Sequence, residues 1–291
     1  MSVEILAEGL KFPEGPIVLP DGAVILVEID AGALTRIWNG RREVVAELGG
    51  GPNGAAFGPD GGIYVCNNGG RGQPREPGRI ERVDPATGRF ERLYDSVDGH
   101  PLSAPNDIVF DRAGGFWFTD FGAAHARHRD FSGIYYATPD GKQVTEVSYR
   151  STGFNGIGLS PDEKTVYAAE TYAGRLIAFD LAAPGQVVKG GRGGRLVTGH
   201  TDRRFFDSLA VQADGAVCVA TIAGDAQGQG GITTITPDGT SRFADFPDRT
   251  VTNIAFGGAD MRDAYLTLSG TGRLARTRWP SPGLKLNYNP Y

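Results

Sequence analysis

Cysteine is almost absent from this chain: Cys66 and Cys218 are the only two. So few thiols argue against a disulfide-stapled scaffold. Met1–Leu10 has neither a basic start nor an apolar segment of signal type, so two reduced, buried thiols in a cytoplasmic protein are expected. No apolar run approaches the length that spans a bilayer, and no membrane partner is expected. Positive charge is also in short supply, with 29 Lys and Arg against 34 Asp and Glu and a net charge of −5. That balance argues against nucleic acid as a partner and for a small molecule. What is plentiful is glycine: 44 of them, with 18 prolines, in a chain of 291 residues, a composition of many turns rather than long helices.

Those turns recur. Six stretches align on one polar residue: F-P-E-G-P-I-V-L-P-D-G, G-P-N-G-A-A-F-G-P-D-G, A-P-N-D-I-V-F-D-R-A-G, G-F-N-G-I-G-L-S-P-D-E, F-F-D-S-L-A-V-Q-A-D-G and V-T-N-I-A-F-G-G-A-D-M. The shared position holds Glu14, Asn53, Asn106, Asn155, Asp207 and Asn253, spaced 39 to 53 residues apart. Seven residues further on, five of the six units carry Asp, and the position after it is glycine in four of the six, at Gly22, Gly61, Gly114 and Gly215. Asp-Gly between apolar runs is a strong hairpin signal. The returning runs, such as A-V-I-L-V-E and G-F-W-F-T-D, have the β-branched and aromatic content of strands. A glycine then opens a third run in every unit, as in G-I-Y-Y-A-T-P-D-G-K-Q-V-T-E-V, itself a hairpin. Four strands per unit and six units predict a single all-β domain over 1–291, a six-bladed β-propeller. Residues 2–7 and 284–289 fall outside the clean units, and one of them is expected to complete the last blade.

In a propeller the first strand of each blade lines the central channel, so the six shared residues gather around the axis on one face. Glu28, Asn67, Asp120, Glu170 and Thr221, 14 or 15 positions later, stand one strand outward as a supporting shell. Alternation turns Asp107, the neighbour of Asn106, away from the axis. Polar residues at strand starts often only cap turns. Six on one face, with Glu14 and Asp207 opposing each other across a channel, instead predict a hard-cation site. No Cys or His falls at the shared register, which argues against a thiolate or imidazole cage. Oxygen-only ligands suit Ca²⁺, Mg²⁺ or Mn²⁺.

P-E-G-P around Glu14, P-N-D-I-V-F-D followed by G-G-F-W-F-T-D around Asn106, N-G-I-G-L-S-P-D at Asn155 and F-D-S-L-A-V-Q-A-D-G at Asp207 together resemble the gluconolactonase/regucalcin (senescence marker protein) family of six-bladed propellers. The resemblance covers essentially the whole chain. It implies one divalent cation, with Ca²⁺ favoured and Zn²⁺ also open, held at Glu14, Asn155 and Asp207, with Asn106 facing substrate or metal, and hydrolysis of sugar lactones or, in relatives, organophosphates. Sugar-binding members can carry Arg two residues before the Asn matching Asn106. Ala104 stands there in this chain and puts aldonolactone specificity in doubt.

The expected chemistry is polarisation of a lactone carbonyl by the cation, with Asp207 as general base for water or, second, as direct nucleophile. Glu14 holds the metal charge, and Asn106 and Asn155 offer neutral amide oxygens. Asn53 completes the ring or binds a water, and Asn253 is either part of the ring or a structural cap. Substrate contacts are expected from the face loops 68–77, 121–132 and 199–206, with Arg71, His125, His128 and Arg204 as candidates; solvated loop charges are the plainer reading of each. Asp120-Phe121-Gly122 spells a kinase signature without its companion loops, and K-G-G-R-G-G-R at 189–195 reads as a hairpin tip in an acidic chain. A lyase or isomerase, a phosphotriesterase-like esterase and a non-enzymatic calcium-binding propeller are the competing functions on such a scaffold. A monomer or weak homo-oligomer is expected.

Overall fold

A computed structural model of the protein describes residues 2–72, 75–200, 202–225 and 227–290. Blade 1 is the antiparallel run Pro13–Val18, Val24–Glu28, Ala33–Trp38 and Arg41–Glu47. Its inner strands, P-E-G-P-I-V and V-I-L-V-E, are wholly buried, whereas the outermost, R-R-E-V-V-A-E, is mostly exposed; the fall in hydrophobicity along each unit is what sets inside from outside. The same consecutive order repeats in blades 2, 3 and 5, blade 4 inserts the short strand Gln186–Val187 before its outermost Arg195–Gly199, and blade 6 supplies only its inner three strands consecutively. The innermost strands of blades 2 to 6 are Pro52–Phe57, Pro105–Phe110, Phe154–Leu159, Phe205–Val211 and Val251–Gly257. Each innermost strand touches the next, and that of blade 6 touches that of blade 1, so the ring of six is closed. Six apolar clusters fill the six interfaces between blades. One example is Val27, Leu34, Ile63 and Val83 between blades 1 and 2. Another is Trp117, Ile134, Ile157 and Phe179 between blades 3 and 4.

The Asp-Gly turns form as their sequence requires. Asp21, Asp60, Asp162, Asp214 and Asp260 each accept, through Oδ1, the backbone N–H two residues on, at 3.0–3.3 Å. In blade 3, where Ala113 replaces the Asp, Asp111 bonds Gly115 N–H instead.

Of the two segments outside the units, it is the N-terminal one that closes the ring. Glu4–Ala7 pairs with Arg273–Arg278 as the outermost strand of blade 6, and Arg276 Nη2 lies 2.7 Å from Glu4 Oε2. The C-terminal segment crosses the far end of the channel. Leu284 N–H donates to Val211 O (2.8 Å), and Asn287 Nδ2 donates to Phe110 O (3.1 Å) and Glu163 Oε1 (2.6 Å). It leaves an axial cavity of about 80 Å³ lined by apolar side chains such as Ile17, Leu159, Val211 and Leu284. Cys66 and Cys218 are buried, unpaired thiols in blades 2 and 5. No helix among the described residues is long and apolar enough to cross a membrane.

Candidate active site at the channel mouth

Glu14, Asn53, Asn106, Asn155, Asp207 and Asn253 all lie at the start of an innermost strand, and all are at least nine-tenths buried. At that point every innermost strand carries a β-bulge: pairing with the second strand slips between Glu14 and Ile17, Pro52 and Ala55, Pro105 and Ile108, Phe154 and Ile157, Phe206 and Leu209, and Val251 and Asn253. A bulge re-aims side chains by adding a residue to one strand, and here it does so six times around one axis.

The side chains meet across blades. Asn253 Nδ2 of blade 6 donates to Glu14 Oε2 of blade 1 (2.8 Å), which also accepts its neighbour Gly15 N–H (2.9 Å). The side chain of Asn155 in blade 4 bonds Asp207 in blade 5. Burial lifts the Asp207 carboxyl far above the usual range; the Glu14 and Asp107 charges add to the rise, and the Asn155 bond only partly offsets it. Burial likewise raises Glu14 against the bonds from Asn253 and Gly15. Two amide oxygens, Asn106 Oδ1 and Asn155 Oδ1, are buried without a hydrogen-bond partner among the described residues. Buried polar atoms are normally satisfied. Two orphan carbonyl oxygens beside mutually repelling carboxylates form an all-oxygen donor set of the kind a hard divalent cation accepts.

Asp107 departs from the outward orientation that simple alternation predicts. The bulge at Pro105–Ile108 breaks the alternation that would turn it away, and Asp107 lines the axial cavity. Its Oδ1 accepts Ile108 N–H (2.9 Å) and its Oδ2 accepts Ile157 N–H of blade 4 (3.3 Å). Burial, with Glu14 adding to it, pushes the carboxyl up to about 7. The repeat marks the position only by contrast. At the equivalent position three other blades have Gly15, Gly54 and Gly156, because the backbones of neighbouring blades pass there too closely for a side chain. A Cβ on Gly54 would lie within 2.6 Å of Asp107 Cα, and one on Gly156 within 2.6 Å of Ser208 Cα. Asp107 is the one acid at this register among the six blades.

The second strands supply the supports. Asp120 ends Phe116–Asp120; its Oδ1 accepts Ala104 and Gly122 N–H (2.7 and 2.9 Å), and its Oδ2 accepts Ser103 N–H (2.6 Å). Asn67 does the same in blade 2, accepting Gly51 N–H at 2.9 Å, and Glu28 in blade 1 accepts Lys11 N–H at 2.8 Å. Each fixes the chain two or three residues before an axial side chain. Glu170 instead binds Ser151 Oγ (2.6 Å) and Arg175 Nε (2.7 Å), anchoring the approach to blade 4.

The loop candidates are not drawn into the axial cluster. Arg71 pairs with Asp30 (3.4 Å) and lies 4.6 Å over the Phe12 ring, two residues before Glu14. Arg204 pairs with Asp202 (2.9 Å) and covers Phe243 on the outermost strand of blade 5, pointing away from the axis. His125 bonds Asp130 (2.9 Å) and stacks on His128. Thr221 bonds Thr233 within blade 5.

A family model described as the SMP-30/Gluconolactonase/LRE-like region matches residues 12–270. A gluconolactonase of Zymomonas mobilis is 26% identical, over 95% of this chain and 81% of its own length. A lactonase, drp35, of Staphylococcus saprophyticus is 32% identical over 75% of this chain and 65% of its own length, so the match spans slightly less than two thirds of that relative. Among solved structures, a gluconolactonase from Xanthomonas campestris superposes with a TM-score of 0.76 at 21% identity, covering 96% of this chain and 89% of the other. A calcium-binding protein, regucalcin, from Agrobacterium tumefaciens gives 0.75 at 20% identity over 98% of each chain. These two establish the shared six-bladed fold. The match at 12–270 runs from just before Glu14 to beyond Asn253, taking in every innermost strand, and on that basis the chain belongs to the SMP-30/gluconolactonase/LRE-like family.

Proposed function

We propose that this protein is a divalent-metal-dependent lactonase that opens a small lactone to its hydroxy acid. The observation that carries the reading is the axial convergence of Glu14 and Asp207 with the orphan amide oxygens of Asn106 and Asn155. The gluconolactonase and lactonase names of the relatives support the substrate class. Glu14, Asn106, Asn155 and Asp207 are the residues that would hold the cation, Ca²⁺ being favoured by an all-oxygen set. When bound, it supplies Lewis-acid polarisation of the carbonyl and stabilises the charge that develops on its oxygen.

Asp207 is the general base in this reading. Its burial beside Glu14 and Asp107 makes its carboxylate a stronger proton acceptor than an exposed one, the property needed to take a proton from the attacking water. The hydroxide equivalent adds to the acyl carbon, the ring C–O bond breaks, and the proton passes to the departing alkoxide. Asn53 and Asn106 are the neutral groups at the channel mouth suited to hydrogen-bond the substrate, with Arg71 beside Phe12 at the rim. Asp120 and Asn67 position them by fixing the chain ahead of each.

Hydrolysis of a lactone panel with and without Ca²⁺, Zn²⁺, Mg²⁺ and Mn²⁺ tests the reading. Turnover is expected only with a divalent cation, and D207N is expected to lower kcat by about 10²–10⁴-fold. Full activity in D207N would refute the base assignment. No lactone or ester turnover with any metal would favour a lyase or a calcium-binding role instead.

A further inference from the structure

The loop between the second and third strands of blade 3 folds back on itself in a way the axial chemistry does not use. Ala124 and Arg129 form an antiparallel bridge, and His125 N–H donates to His128 O (2.9 Å), so residues 124–129 make a miniature hairpin with a histidine on each side of its turn. The two imidazoles stack face to face, with centroids 4.3 Å apart and planes within 10°. Asp130 N–H donates to Ala123 O (3.0 Å), which brings the Asp130 carboxylate to the same side: Oδ1 lies 2.9 Å from His125 Nε2, and Oδ2 accepts Ser103 Oγ–H at 2.6 Å. One ligand atom from each of His125, His128 and Asp130 lies within 4.8 Å of the others. The His128 ring has no hydrogen-bond partner among the described residues.

The hairpin's base is already fastened. Ala123 N–H donates to Ser103 Oγ (2.8 Å), and Arg129 donates to Gly122 O and to Tyr172 Oη (the latter at 2.8 Å). The Arg129 guanidinium also covers the Phe121 and Tyr172 rings, at 4.6 and 4.9 Å. For the three to share one ion, the ligand atoms must close from within 4.8 Å of one another and the stacked imidazoles must tilt so that their in-plane lone pairs converge. Metal–ligand distances of about 2.0–2.2 Å place tetrahedral donors about 3.3–3.6 Å apart. Two imidazole nitrogens and one carboxylate oxygen are a borderline donor set that suits Zn²⁺ and leaves a fourth position for water. The axial site offers oxygen alone and selects harder ions.

We propose that His125, His128 and Asp130 form a second metal site, specific for zinc-type divalent ions and separate from the channel mouth, that clamps the rim hairpin carrying Arg129. A bound ion would take the place of the His125–Asp130 hydrogen bond and hold His128, so the hairpin tip would be cross-linked at three points. Because Phe121 and Tyr172 lie directly over Gly153, two residues before Asn155, the clamp would hold part of the rim of the channel mouth.

The test is Zn²⁺ titration by calorimetry of the full, untagged chain kept in excess Ca²⁺, with Co²⁺ absorption as a second readout. One equivalent of Zn²⁺ is expected, with Co²⁺ giving the visible bands of a nitrogen-ligated, four-coordinate ion. H128A and H125A are expected to weaken Zn²⁺ binding by at least about tenfold, to abolish those bands and to leave the melting curve without Zn²⁺ unchanged. D207N, at the axis, is expected to bind Zn²⁺ as the unsubstituted protein does. Zn²⁺ uptake unaffected by H128A and H125A, uptake lost in D207N, or no equivalent bound in Ca²⁺ excess would each overturn the proposal. Failure of lactone hydrolysis would leave it standing, since neither readout depends on turnover.

Discussion

Asp107 adds a third buried carboxyl to Glu14 and Asp207 at the axis. Buried beside Glu14, its carboxyl is pushed from 3.8 up to about 7. In the metal-free protein the folded form therefore keeps a proton that the unfolded chain gives up near 3.8. Its contribution to stability is complete below about pH 4 and is lost as pH rises through 7. Melting curves of the metal-free protein and of D107N should diverge accordingly. Relative to D107N, the unsubstituted chain loses up to about 1.4 kcal/mol per pH unit between roughly pH 4 and 7, and saturating Ca²⁺ reduces that loss. A stability difference independent of pH would show that Asp107 does not feel its burial in this way. The six shared axial residues were legible because each begins an innermost strand at one register. Asp107 was not, because strict alternation fails where a strand bulges, and pairing slips are not written in residue type.

The Asp-Gly hairpin is the element most fully readable in this chain. Gly22, Gly61, Gly114 and Gly215 all adopt positive φ, between 75° and 92°, which L side chains resist. Blades 4 and 6 lack that glycine, and Glu163 and Met261 take φ 56° in its place, so the same turn forms there at the cost of a strained non-glycine residue. A clean measurement is available at Gly22, where an added Cβ meets no atom within 4 Å. G22A should cost about 1–2 kcal/mol through the backbone alone, lowering the melting temperature with no change in metal binding, and G22N should recover part of it. An unchanged melting temperature in G22A would show that the turn is free to adopt another type. The loops carry less of their own structure in sequence: Arg204 lies over Phe243 and His125 bonds Asp130, and a partner so distant in sequence from Arg204 as Phe243 cannot be read from the loop itself.

At the scale of the whole molecule, ring closure links residues 270 positions apart: Ile5 pairs with Ala275 in the last blade. Removing residues 2–8 would leave Arg273–Arg278 as an unpaired outer edge. Such edges recruit other chains, so the truncated protein should melt at lower temperature and associate with rising concentration on size-exclusion chromatography. Equal melting and a concentration-independent elution volume would argue that the strand is dispensable.

Sequence alone determined the number of blades, the turns and the axial identity of Glu14, Asn53, Asn106, Asn155, Asp207 and Asn253. Those depend on local chemistry repeated six times: apolar runs, Asp-Gly turns and one polar position, each readable within about twenty residues. Only the tertiary structure decided which terminal segment closes the ring, that the other caps the far end of the channel, and that Asp107 joins the axial acids. It also decided that Asn106 and Asn155 keep buried oxygens without partners. These depend on where distant strands end up side by side, and on bulges set by contact between neighbouring blades. Packing between units determines both, and no single repeat contains that information.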